Sequence, residues 1–216
     1  MLEVRNACKT YNPGTVRELS LFRNFSLTVD TGAFVSIVGS NGSGKTTLRN
    51  LICGSVPLDD GQILVDGQDV TRTREYLRSR LIGRVYQNPS AGTCGSMTIL
   101  ENMLEARVGS LSGGQRQALA LLMSTMTPIS FLILDEHTAA LDPKTADIIM
   151  QLTDRIVREK RLTAMMVTHN LRYALEYGDR LLMLDRGKIV VDKAGEEKAA
   201  MTADQILTTF GQLSMQ

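Results

Sequence analysis

Eight consecutive residues, Gly39-Ser40-Asn41-Gly42-Ser43-Gly44-Lys45-Thr46, restrict this chain more than any other stretch. They fit the pattern Gly, four residues, then Gly-Lys-Ser/Thr. The run before them, Ala33 to Val38, is apolar and β-branched and reads as a buried strand. The run after them, Lys45 to Cys53, carries apolar residues at helical spacing. Glycines let the backbone curl so that successive N–H groups point inward as an anion nest, and the following helix adds the positive end of its dipole. Lys45 then reaches the β- and γ-phosphates of a nucleotide, and the Thr46 hydroxyl can ligate Mg²⁺. Strand, loop and helix in this order predict a nucleotide phosphate site.

The rest of the composition sets limits. A chain of 216 residues is long enough for one well-buried domain. Its 24 basic and 23 acidic residues leave a net charge of +1, which gives no global reason to expect nucleic acid as a partner. Cys8, Cys53 and Cys94 have no metal-ligand spacing and an odd count, as expected of reduced thiols in a cytosolic protein. Met1 to Arg5 carry no apolar leader, and no apolar run approaches the roughly 20 residues of a membrane helix. Work at a membrane would need another chain to hold this one there.

Leu2 to Ala7 and Phe25 to Val29 alternate as half-buried strands around a turn at Tyr11 to Gly14, and Gln62 to Val65 precede a tight turn. These predict a small antiparallel section. From Ile82 onward strands are expected at Ile82–Tyr86, Phe131–Leu134 and Leu162–Val167. Helices are expected at Thr98–Arg107, Gly113–Met126, Pro143–Lys160 and Leu171–Tyr177. A hairpin at Asp185–Lys188 and a short helix after Thr202 close the chain. Alternating strands and helices argue for an α/β domain with a largely parallel sheet.

Two further stretches carry chemistry. Phe131-Leu132-Ile133-Leu134-Asp135-Glu136 is an apolar strand ending in two carboxylates. In a phosphate-loop protein the first, Asp135, orients Mg²⁺, and Glu136, pointing the other way, is placed to polarise an attacking water. In Leu111-Ser112-Gly113-Gly114-Gln115 the Ser112/Gln115 spacing predicts a capping box at a helix start. Two glycines in a first turn cost on the order of 1 kcal/mol each against alanine, and they open the helix N-terminus to an anion. This makes a second phosphate-binding surface and suggests a nucleotide shared between two subunits.

Taken in order, these motifs resemble the ATP-binding-cassette (ABC) ATPases, whose signature is LSGGQ, and most of all the nucleotide-binding subunits of bacterial importers. The resemblance implies an α/β P-loop NTPase with a RecA-like core, an antiparallel β subdomain and a helical subdomain in a single domain spanning residues 1–216. Core and β section would take 1–87 and 111–192, the helical segment 88–110 and a tail 193–216. It implies ATP and Mg²⁺ as ligands, with Gly39 to Thr46, Thr47, Ser112, Gly113, Gly114 and Gln115 on the phosphates and Tyr11 on the adenine. Thr46, Gln87 and Asp135 would serve the metal; Lys45, Gln87, Glu136 and the switch histidine, His169, would serve catalysis. Ala139-Ala140-Leu141-Asp142 matches the D-loop, with Ala140 where a hydroxyl residue is usual. The partners implied are a second copy packed head to tail, transmembrane permease subunits and a substrate-binding protein, with no nucleic acid. The place implied is cytoplasmic, on the inner face of the membrane.

The chain departs from that family in one segment. Only 23 residues, Asn88 to Ser110, separate Gln87 from the signature, about half what the family resemblance leads one to expect, so the helical subdomain is read as shortened. Arg49 stands where an apolar residue is expected, and Thr71–Arg80 is read as a solvated basic face. Ala194–Ala200 is read as a solvated linker. Two other readings use the same motifs: a soluble clamp or switch on nucleic acid or a ribosome, and a nucleotide-binding module with impaired turnover.

Overall fold

The computed structural model describes residues 1–91 and 110–214. The helix expected at Thr98–Arg107 and Cys94 lie outside the described residues. Among those described, β1 (Leu2–Tyr11), β2 (Leu19–Val29), β4 (Asp60–Val65) and β5 (Gln68–Asp69) form an antiparallel sheet in the order β2-β1-β4-β5. A second sheet holds β3 (Phe34–Gly39), β6 (Ile82–Val85), β7 (Phe131–Asp135), β8 (Ala164–Val167), β9 (Arg180–Asp185) and β10 (Lys188–Ala194), in the order β10-β9-β3-β8-β7-β6. Its strands are parallel except β10, which pairs antiparallel with β9. The expected α/β fold with an antiparallel section is therefore present.

The near-continuous apolar runs of β3, β7 and β8 follow from burial on both faces. Val35, Ile37, Phe131, Ile133, Met165 and Val167 turn towards the antiparallel sheet. Phe34, Leu132, Leu134, Ala164 and Met166 turn the other way, onto α3 (Gly113–Met126) and α4 (Pro143–Glu159). Each fully buried Leu, Ile or Phe stabilises by about 1.5–3 kcal/mol, so the sheet is a firm base for whatever its strand ends carry.

Helix α1 (Lys45–Cys53) lies between the two sheets and buries Leu48, Leu51 and Ile52. Its C-terminus corrects one expectation. The basic stretch Thr71–Arg80 is not uniformly solvated: Arg72, Arg74 and Arg80 are exposed, but Arg78, at the end of α2 (Glu75–Arg78), is 3% exposed. Arg78 Nη1 donates to the carbonyls of Leu51 and Ile52 at 2.7 and 2.8 Å, and Nε and Nη2 donate to Thr73 O and Thr71 O at 2.9 Å each. A guanidinium suits this place because the last carbonyls of a helix lack partners and carry its negative dipole end.

The expected linker Ala194–Ala200 is also corrected. It forms α6 (Gly195–Ala199), following α5 (Leu171–Glu176), and Lys198 is buried. Its Nζ donates to Tyr177 O and Gly178 O, and burial pushes its pKa down to about 8. The last helix, α7 (Ala203–Ser214), buries Ile206 beside Val38 and Met183.

Candidate active site

Four parallel strands, β3, β8, β7 and β6, end on one edge of the sheet in that order. The residues that follow them are the phosphate loop, His169, Asp135 with Glu136, and Gln87. Topology alone thus gathers most of the predicted site along one line, the usual place for ligands in such sheets.

The phosphate loop joins β3 to α1. Gly39 is a glycine for lack of space: a Cβ there would lie 2.4 Å from Leu184 O and 2.6 Å from Ser43 Oγ. Gly44 takes a φ of 109° before the first turn of α1, and no side chain caps that turn. The helix therefore starts with N–H groups that no side chain caps, and a helix start of this kind is where an anion is best received. Lys45 Nζ donates to Gly39 O at 2.7 Å and Ser40 O at 2.9 Å, and is 5% exposed. Burial pushes its pKa down, while the charge of Glu136 acts in the opposite direction. Ser40, Asn41, Gly42 and Thr46 are exposed, whereas Ser43 is buried. Tyr11 ends β1 rather than lying in the expected turn, and its hydroxyl is 3.1 Å from Thr47 Oγ1, which sets its ring beside the loop.

Glu136 lies one residue past the end of β7 and does not continue it. Its φ is 46°, a left-handed conformation uncommon for a non-glycine residue, and its N–H donates to Val167 O at 2.9 Å. The chain therefore turns towards β8, and Glu136 Oε1 comes within 2.8 Å of His169 Nε2. A cleft of about 670 Å³ opens here, lined among others by Glu136, Leu141, Thr168, His169 and Asn170. Asp135 remains in the strand and is 8% exposed. Its Oδ2 is ion-paired with Arg49 Nη1, and Arg84 Nη2 lies 3.7 Å from the same oxygen. Gln87 is exposed, two residues beyond β6.

The predicted capping box is present: Ser112 Oγ accepts from Gln115 N at 3.2 Å, and Gln115 Oε1 accepts from Ser112 N at 2.9 Å. Gly114 has a packing role as well. A Cβ on Gly114 would lie 2.3 Å from Thr145 Cγ2, so this glycine lets α3 pack on the first turn of α4. At Gly113 the nearest such contact is Leu141 Cδ2 at 3.4 Å, which leaves that position free for close approach from outside.

For Mg²⁺ the donor chemistry fits. Thr46 hydroxyl, Asp135 carboxylate and Gln87 amide are hard oxygen donors. Among the described residues no group of three His, Cys, Asp or Glu could hold a metal ion. Sequence reasoning missed His137, which is fully buried with Nε2 3.0 Å from Thr153 Oγ1 and its pKa lowered to about 4 by burial. It also missed the Arg49–Asp135 pair, although an arginine at an expected apolar position was the visible sign.

Strand, phosphate loop, helix and a strand-end acid pair on a parallel sheet define a P-loop NTPase. Residues 22–106 match the model of the ABC transporter family. The chain is 42% identical over 247 residues to the tyrosine transport ATP-binding protein of Clostridioides difficile, covering 97% of this chain and 98% of that protein. It is 30% identical to the phosphonates import ATP-binding protein PhnC 2 of Oceanobacillus iheyensis, covering 89% of each. The fold superposes with a TM-score of 0.73 and 26% identity on the dimeric post-hydrolysis structure of the ATP-binding cassette MJ0796 bound to ADP and Pi, covering 90% of this chain and 98% of that one. The chain belongs to the ATP-binding proteins of the ABC transporter family and is an ATPase of that class. The 247 aligned positions outnumber the 216 residues of this chain, so part of the C. difficile protein faces internal gaps here.

Proposed function

We propose that this chain powers an importer by closing, with ATP, into a head-to-tail dimer in which each nucleotide is held between the phosphate loop of one copy and the Ser112 helix of the other. The observation that carries this reading is the presence of two anion-suited helix starts in one chain. α1 and α3 each present an N-terminus; at the start of α3 Gly113 and Gly114 lie against Leu141 and Thr145, while Ser112 and Gln115 bond to each other. A second copy would bring the two helix starts together. The dimeric MJ0796 structures and the importer names of the relatives support the same reading.

In this site Lys45 would leave the carbonyls of Gly39 and Ser40 for the phosphates, since a phosphate oxygen is a stronger partner for an ammonium than a neutral carbonyl. Glu136 would accept the proton of the attacking water as its oxygen bonds to the γ-phosphorus and ADP leaves. His169, at hydrogen-bond distance, would hold the carboxylate in place. Mg²⁺, when bound by Thr46, Asp135 and Gln87, supplies positive charge against the phosphate oxygens. Tyr11 would offer its ring to adenine. Closure stores binding energy that hydrolysis releases to the membrane subunits.

Among the described residues no helix is long and apolar enough to cross a membrane, so permease subunits would hold the chain at the inner face. Affinity capture of the tagged chain from detergent-solubilised cells tests the partner. Recovery of a multi-span membrane protein supports the proposal; recovery of ribosomes or nucleic acid instead would overturn it. The name of the C. difficile relative makes tyrosine the first cargo to try.

A further inference from the structure

Helix α1 carries Lys45 and, one turn further on, Arg49, which the helical period sets on the same side. Arg49 is mostly buried, with a side chain 13% exposed, and its guanidinium is fixed at both ends. Nε and Nη2 donate to Asn50 Oδ1 at 3.2 and 3.0 Å, and Nη1 is paired with Asp135 Oδ2. Arg84, 15% exposed and stacked over the Tyr86 ring at 4.3 Å, comes within 3.7 Å of the same carboxylate oxygen. Two guanidinium groups thus face one buried carboxylate. Glu136 follows Asp135 in the chain, and Glu75, half exposed, lies 3.8 Å from Arg84. In so screened a place charges interact far more strongly than in water. A divalent cation approaching Asp135 meets a carboxylate oxygen already engaged by one guanidinium, with a second close by.

We propose that Arg49 is a positioning residue that acts through Asp135 to weaken the dependence of nucleotide binding on Mg²⁺. Asp135 is held by the guanidinium, and the metal gains it only by competing with Arg49. The inference rests on the nucleotide site proposed above. It makes the arginine more than a tolerated replacement in α1: with Arg49 in place, part of the charge that Mg²⁺ would bring to this end of the sheet is supplied by the protein.

The test is the affinity for a fluorescent ATP analogue in Mg²⁺ and in EDTA, measured on the full chain and on Arg49→Leu, Arg49→Gln and Arg49→Lys. The readout is the ratio of the two dissociation constants, which a purely structural change would leave unaltered because it weakens both alike. Removing the charge in Arg49→Leu and Arg49→Gln should raise the preference for Mg²⁺ by about tenfold or more, while Arg49→Lys should stay near the parent value. Glutamine keeps hydrogen-bonding capacity and covers the case in which leucine fails to fold. An unchanged ratio in a charge-removed form that still binds the analogue overturns the inference and leaves the site standing. Failure of the parent chain to bind the analogue in either buffer overturns both.

Discussion

His169 Nε2 and Glu136 Oε1 lie 2.8 Å apart, across the ends of two neighbouring parallel strands that pair from Leu132↔Ala164 to Asp135↔Val167. The register sets the two residues side by side, and the left-handed backbone of Glu136 closes the gap. A positioned base contributes typically about 10²–10⁴-fold to a proton-transfer step. Glu136→Gln should therefore lose phosphate release by at least two orders of magnitude, on the order of 10²-fold, while keeping ATP affinity. His169→Ala should lose less, because it removes the support and leaves the base. Steady-state phosphate release alongside equilibrium ATP binding checks both.

Gly114 and Thr145 make a second, purely mechanical prediction. With Thr145 Cγ2 2.3 Å from the position of an added Cβ, Gly114→Ala should destabilise the chain by about 1–3 kcal/mol through overpacking. The gain in helix propensity returns about 1 kcal/mol of that. Gly113→Ala, with 3.4 Å of room, should fold like the parent. Thr145→Ser removes Cγ2, and in combination with Gly114→Ala should restore stability. Urea unfolding midpoints of the four variants decide the point.

His137 gives a pH dependence whose sign is fixed. Its folded pKa of about 4 lies below the usual 6.5 because burial disfavours the charged ring. Between these values the unfolded chain binds the extra proton, so stability falls as pH drops from about 6.5 to 4. A depression of this size amounts to about 3 kcal/mol at pH 4. The difference in unfolding free energy between the parent and His137→Gln should shrink by that amount between pH 7 and pH 4. A constant difference across the range would mean that folding leaves the proton affinity of the ring unchanged.

Much of this was legible in the sequence, because it rests on local backbone requirements. The phosphate loop, the Ser112–Gln115 capping box and the buried strand before Asp135 each declare themselves within ten residues. That functional residues follow strand ends was legible too, but their order along the sheet edge, β3-β8-β7-β6, is set by the crossovers. What could not be read are contacts made across elements. Arg78 belongs to a basic run that looks solvated, and only the fold brings it to the last carbonyls of α1. Lys198 sits in a Lys- and Glu-rich stretch whose composition suits a linker, yet two carbonyls at Tyr177 and Gly178 hold it inside. Gly114 reads as an anion-binding glycine, and nothing local shows that Thr145, 31 residues later, also packs against it. Arg49 stood out as the wrong kind of residue, but nothing local says that its partner is Asp135.

The central claim is that the Ser112 helix of one copy completes the phosphate site of another, and sedimentation velocity on Glu136→Gln tests it most directly. With ATP and Mg²⁺ the protein should pass from monomer to dimer, and Ser112→Arg added to the same chain should keep it monomeric with its fold intact. A protein that binds ATP yet stays monomeric at every concentration would contradict the account, and would mean that the short Asn88–Ser110 segment has separated the signature helix from the site it is meant to serve.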